Sequence, residues 1–343
     1  MVITDDEAGV ANIAGGDVVY TFTFSETVTG FIVGDVTVVG GIKGAFSGSG
    51  AVYTLAVTPA TSSVSNITVD VAASVAIDGN SNNNTIATQS VQVVDTLRPT
   101  LSPVSISSNN ASSTLAKVGN VITLTFTSSE SVSTPTVTIS GQSASVLGTT
   151  TGWTATYTMQ STNSEGIIPL TINVTDLNSN TGVQVSTTTN LSKVIFDKTI
   201  PTIVMNGFSP VEISKNSSYT DLGATATDTR DGTITSSIAT TSTVTTQYVG
   251  TYYVTYEVAD AAGNSAIAVS REVKVRNSSG GGNRSNSITT VVQSVPLTSL
   301  VTFAEFETMT EAQKAELIAS IQAQIVELLK QLLAQLQAGS RVQ

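Results

Sequence analysis

The chain has 343 residues and contains neither cysteine nor histidine. That double absence excludes disulfide stapling, thiolate or imidazole zinc sites, a Cys or His nucleophile or base, and the Ser-His-Asp triad. The abundant Ser and Thr hydroxyls are left without a base to activate them. The lack of cysteine leaves the redox compartment open. Charged residues make up 11%, well below the roughly 25% of a typical soluble protein. Aromatics make up 5%, with a single tryptophan, Trp153. A sugar-binding face normally presents a row of exposed aromatics. Trp153 instead alternates with Ala155, Tyr157 and Met159, a pattern that points into a core. No run is long and apolar enough to span a membrane. The opening MVITDD has no basic start and no apolar core, so it is not a signal peptide. If the protein is exported, the expectation is a processed form or an excised piece of a longer chain.

What is present is β-forming. Hydrophobic residues reach 40%, enough to bury real cores. Thr, Val and Ile suit a half-buried pleated surface, and Ser, Asn and Gly suit the turns between strands. Tyr20, Phe22 and Phe24 alternate with Val19, Thr21 and Thr23. Ile122, Leu124 and Phe126 repeat the pattern, as do Tyr252, Val254, Tyr256 and Val258. Period-two alternation sets one row in a core and the other in water, as in an antiparallel sandwich. Net charge is −11, and only 14 Lys and Arg are scattered along the chain. A nucleic-acid partner needs a basic face, which is missing. Carboxylates concentrated in loops suit divalent cations, or simply keep the protein soluble.

The length suits three domains of about 100 residues, and the sequence repeats accordingly. YTFTFSETV at 20–28 aligns with LTFTSSESV at 124–132, and VTVVGG at 36–41 with VTISGQ at 137–142. Each module ends with a strand, an Asp- and Asn-rich loop, and a last strand running to an Asp. The expected modules are 1–96, 97–197 and 198–276, with prolines 99 and 201 stiffening the joints. The stretch FSETVTGFIVGDVTVVGG resembles the bacterial immunoglobulin-like modules of repetitive surface proteins and adhesins. ISSNNASSTLAKVGNVITLTFTSSE with VTDLNSNTG is similar to another type of that class. YTDLGATATDTRDGTITSSI with VGTYYVTYEVADAAGNSA resembles the type found beside bacterial surface and secreted-enzyme domains. The resemblance covers about residues 1–276. It implies a mainly β fold of three tandem immunoglobulin-like sandwiches, an extracellular, cell-surface location, and modules that mostly serve as spacers.

After Val275 the pattern stops. NSSGGGNRSNS at 277–287 is a linker, and the stretch to 309 reads as an extended arm that could donate a strand to another subunit. From 310 to 338 the spacing predicts an amphipathic helix. Thr310 is a good N-cap, Gln313 completes a capping box, Glu311 sits in the first turn, and Gly339 is a stop. Its apolar residues Leu317, Ile318, Ile321, Ile325, Leu328, Leu329, Leu332 and Leu336 exceed what a monomer normally exposes. Self-association into a homo-oligomer or filament is the expected use. Packing onto the third module and binding at a membrane surface are the alternatives, the latter poorly served by Lys314, Lys330 and Arg341.

Loops at the incoming-linker end of each sandwich bring carboxylates into candidate cation sites. These are Asp5, Asp6, Glu26 and Asp78 in the first module; Asp95, Glu130 and Asp176 in the second; and Asp197, Asp228, Asp231 and Asp260 in the third. Calcium takes six to eight oxygens, and backbone carbonyls with Asn80, Asn178 or Asn264 could complete a shell. The resemblance adds that such modules are often stiffened by calcium. The competing reading is that these Asp and Asn residues only shape turns. If the sites are real, each set should bring its carboxyl oxygens within about 5–6 Å. Asp228 and Asp231 around Arg230 suit a turn with a surface ion pair better than a catalytic acid pair. Asn-x-Ser/Thr triplets recur, and no function attaches to them. The sequence therefore reads as a non-enzymatic structural protein: a stalk, or a filament, sheath or layer subunit assembling through its C-terminal region. An adhesin binding a host or glycan ligand through module loops, or the accessory region of a secreted enzyme, is the alternative.

Overall fold

The computed structural model describes residues 1–278 together with Thr310, Lys314, Ile318, Gln322 and Lys330. The chain divides into two units, Met1–Asn277 and Ser278–Gln343. The regular elements of the first are β-strands and two short 3-10 helices, arranged around three separate hydrophobic cores.

In the first module, strands Val2–Thr4, Val18–Thr23, Val52–Pro59 and Gly41–Ser49 form one sheet, in that order. Val36–Val39, Ile67–Val71 and Ser90–Gln92 form the other. The expected alternation holds: Val18, Tyr20 and Phe22 are fully buried, while Val19 and Thr21 face outward. Phe31 packs edge-on against Phe22, Phe24, Phe46 and Tyr53. Gly40 carries the chain from one sheet to the other with φ of 82°, and a Cβ there would lie 2.3 Å from the Asn66 carbonyl oxygen. Only glycine tolerates both conditions.

The second module pairs Leu101–Ser108, Val121–Ser128, Gly152–Thr158 and Ser145–Thr149 in one sheet, and Gln142–Ser143, Thr136–Ile139 and Leu170–Asn173 in another. Ile122, Leu124 and Phe126 point inward, and Trp153, Ala155 and Met159 join the same core. The third module sets Thr202–Met205, Ala224–Asp228 and Gly232–Thr233 beside a sheet of Val211–Ser214, Val269–Arg276, Gly250–Glu257 and Ala239–Ser242. Val254, Tyr256 and Val258 are buried. Tyr252 is only half-buried, because its hydroxyl reaches out to the Tyr248 carbonyl at 3.0 Å.

One pairing recurs in all three. An early segment runs parallel to the last strand: Ala11 with Val94, Leu115–Ala116 with Ile195–Phe196, and Val211–Ser214 with Val273–Arg276. This fixes where each module ends and so where the following linker leaves.

Of the helix expected over 310–338, the described residues Lys314, Ile318, Gln322 and Lys330 are helical, and the Lys314 amide donates to the Thr310 carbonyl at 2.9 Å. These residues do not delineate a complete helix. Leu317, Ile321, Ile325, Leu328, Leu329, Leu332 and Leu336 lie outside the described residues, as do residues 279–309. Among the described residues, no helix is long and apolar enough to cross a membrane.

Candidate metal centres

Ahead of its last strand each module has the same short loop, in which an Asp is followed four positions later by an Asn. Asp78 Oδ1 accepts the amides of Asn80 and Asn82, and Asp78 Oδ2 accepts the Asn82 side-chain amide, all at 2.8 Å. Asp176 does the same with Asn178 and Asn180. Asp260 binds the amide and the side chain of Asn264. The carboxylates therefore do shape their own turns, as the competing sequence reading held. In the second and third modules they do more.

There the Asn also reaches back to the linker. Asn180 Nδ2 donates to the Asp95 carbonyl at 2.9 Å, and Asn264 Nδ2 to the Asp197 carbonyl at 3.1 Å. Asp95 and Asp197 follow the last strand of the preceding module, where pairing to Ala11 and Ala116 holds their own amides. The linker Asp is thus clasped against the loop Asp of the next module. The sequence reading names Asn178 and not Asn180. The signal for Asn180 was the D-x-x-x-N spacing shared by Asp78/Asn82, Asp176/Asn180 and Asp260/Asn264.

A third carboxylate completes each group. Glu130 stands just beyond strand Val121–Ser128, and Asp228 ends strand Ala224–Asp228. One ligand oxygen from each of Asp95, Glu130 and Asp176 lies within 4.8 Å of the others, and the same holds for Asp197, Asp228 and Asp260. Both groups lie inside the separation expected from the sequence.

The other sequence candidates fall outside these groups. Asp231 turns away: its Oδ1 is 3.3 Å from Arg230 and its Oδ2 accepts the Ala261 amide at 2.7 Å. In the first module, Glu26 approaches Asp78, but Asp5 and Asp6 do not join them. Val2 pairs with Thr23 and Thr4 with Thr21, so the chain runs away from Glu26, and Asp6 caps the Val19 amide at 2.7 Å. Six strand residues, about 20 Å, separate the two ends. The amides of Asn178 and Asn264 are spent as donors, on Asp95 Oδ2 at 2.7 Å and on Asp197 and Asp260 respectively.

The electrostatics suit a bound cation. Burial raises the Glu130 carboxyl above its ordinary range, and the Asp176 and Asp95 charges add to the effect. Burial likewise raises Asp197. The Thr199 amide opposes it, while Asp260, Asp228 and Glu165 push further up. Glu130 Oε1, Asp197 Oδ2 and Asp228 Oδ2 are buried and accept no hydrogen bond. Asp197 and Asp228 are themselves 2% and 7% exposed. Buried carboxylate oxygens normally have partners. The donor sets contain oxygen only, which favours a hard cation of the calcium or magnesium type over zinc. The residues fit such an ion.

Residues 6–94 match the family described as Bacterial Ig-like domain, and residues 203–275 match Bacterial surface protein, Ig-like domain. The chain carries tandem bacterial immunoglobulin-like modules. No curated protein matches it in sequence. Among solved structures, three immunoglobulin domains of titin, in an E-to-A mutated variant, are 11% identical. The match covers 80% of this chain and 98% of that one, with a TM-score of 0.37. SGBP-B of the Bacteroides ovatus mixed-linkage glucan utilization locus, solved with a mixed-linkage heptasaccharide, is 12% identical. That match covers 80% of this chain and 67% of the other, with a TM-score of 0.17. Neither likeness bears on function. The bacterial immunoglobulin-like modules point to a cell-surface or extracellular protein of a class that is typically non-catalytic.

Proposed function

We propose that the chain is a non-enzymatic structural element of a bacterial surface, a spacer whose junctions are clamped by calcium. The observation that carries this reading is the pair of oxygen-only carboxylate groups built at equivalent places, each combining one linker Asp with two residues of the module that follows. Asp95, Glu130 and Asp176 hold one ion, and Asp197, Asp228 and Asp260 the other. Each ion ties the linker to the next sandwich and offsets three carboxylates in a confined space. Calorimetric titration of the metal-free chain should show two calcium ions bound, and Asp228→Asn should remove one of them. A chain that takes up no calcium at millimolar concentration contradicts the reading.

The C-terminal region is the assembly element of this proposal, bringing copies together as a surface filament, sheath or layer. Support comes from the apolar run at 317–336 and from Ile318, which is 46% exposed. Replacing Ile325 and Leu332 by Asp should leave the modules folded and abolish oligomers in light scattering. An unchanged mass would remove this part of the proposal.

A second reading, an adhesin with a ligand on the third module, rests on the exposed Phe208, Tyr248 and Tyr253. Exposed rings can stack on sugars. Glycan binding that survives deletion of residues 277–343 would favour it.

A further inference from the structure

The two centres share a plan but differ in one neighbour. In the second, Arg230 Nη1 lies 3.6 Å from Asp197 Oδ2 and 3.3 Å from Asp231 Oδ1. The turn that carries it is fixed from inside the centre: Asp228 Oδ1 accepts the Arg230 and Asp231 amides at 2.8 and 2.9 Å. Asp231 Oδ2 is in turn held by the Ala261 amide. The guanidinium is therefore placed beside a ligand carboxylate by the same residues that build the centre. Among the described residues, no ion pair reaches Asp95, Glu130 or Asp176. The neighbour at Asp95 Oδ2 is the neutral amide of Asn178.

We propose that Arg230 sets the cation affinity of the second centre, acting as a tethered positive charge that a bound divalent ion must displace from Asp197. This rests on the reading of both groups as calcium centres. A guanidinium and a divalent ion compete for the same carboxylate lone pairs and repel each other at this distance. Arg230 does not saturate the centre, because Asp228 Oδ2 is buried with no partner and Asp197 Oδ2 has only the loose ion pair. The centre can therefore still take a metal, at the cost of releasing the side chain. Arg230 is partly exposed, so it has solvent to turn into. The two junctions then fill in order: the Asp95 junction at lower calcium, the Asp197 junction at higher calcium.

Calcium titration of the full chain by calorimetry separates the cases. The wild type should show two affinities, and Asp95→Asn should delete the tighter one. Arg230→Gln should tighten the weaker by about tenfold or more and leave the tighter unchanged, the scale on which a neighbouring charge acts. A readout without metal accompanies it. Arg230→Gln should lower the thermal midpoint of the third module in the metal-free protein, where Asp197 loses its partner, and should not lower it with calcium bound. Two calcium ions bound with Arg230→Gln silent in both measurements overturns the role of Arg230 alone. No calcium bound at all overturns this inference together with the proposed function.

Discussion

Among the described residues, Arg271 is the most deeply buried charge, at 1% exposure. Its guanidinium pairs with Asp221 and donates to the carbonyls of Asn206 and Gly223, and it stacks 5.8 Å above the Tyr256 ring. Asp221 in turn accepts the hydroxyls of Tyr256 at 2.6 Å and Tyr219 at 2.9 Å, and the Gly223 amide at 3.0 Å. Burial pushes the Asp221 carboxyl up, but these hydroxyls, the amide and Arg271 outweigh it and hold it below the ordinary value. A depressed carboxyl contributes stability that is present above its unfolded pKa, about 3.9, and is lost as pH falls through the folded value. Acid should therefore weaken the third module below about pH 4. Asp221→Asn should cost about 3 kcal/mol at neutral pH, since it leaves a buried cation unpaired. Chemical denaturation of the third module at pH 7 and pH 3 checks both. Equal stability of variant and wild type at pH 7 would show the pair to be inert. Nothing in the sequence marked this network, because Arg271 sits at an inward strand position where the pattern predicts an apolar side chain.

The loops and joints are the elements on which the candidate centres depend. The sequence groups Asp95, Glu130 and Asp176, and Asp197, Asp228 and Asp260, and the structure brings each set together, because the immunoglobulin-like strand order that the resemblance implies puts those loops at one end. It misplaced Asp5 and Asp6, since nearness to the chain start says nothing about strand direction, and the Val2–Thr23 register carries them to the opposite end. It also grouped Asp231 with the ligands, although the side chain is engaged by Arg230 and the Ala261 amide. The alternation of Tyr20, Phe22, Ile122 and Leu124 was fully legible, as their burial shows. The raised carboxyls of Glu130 and Asp197 give the joints a pH dependence of the opposite sign to Asp221. An acid whose folded-state value is raised binds its proton more tightly when folded. Stability is then gained as pH falls through that raised value, and it is complete below the unfolded value near 4. In the metal-free protein, thermal midpoints should rise as the pH is lowered from neutral toward about 4. With calcium bound the same change should lower them, because protons then compete with the ion. Parallel trends with and without calcium would contradict the assignment of these carboxyls to an ion.

For the molecule as a whole, the three cores are separate, and polar contacts bridge the modules at their junctions. At the first junction the Ile13 amide donates to Asn180 Oδ1 at 3.0 Å. At the second, Asn110 and Lys117 donate to the carbonyls of Ala262 and Gly263 at 2.8 and 2.6 Å. Interfaces of this kind leave relative domain motion as the default, so an ion at each joint has a mechanical role available to it. Amide hydrogen exchange with and without calcium tests the clamp most directly. The account predicts that calcium slows exchange at Asn178, Asn180, Thr199 and Asn264 while leaving the core strand Val121–Ser128 unchanged. Exchange at those junction amides that does not respond to calcium would contradict it.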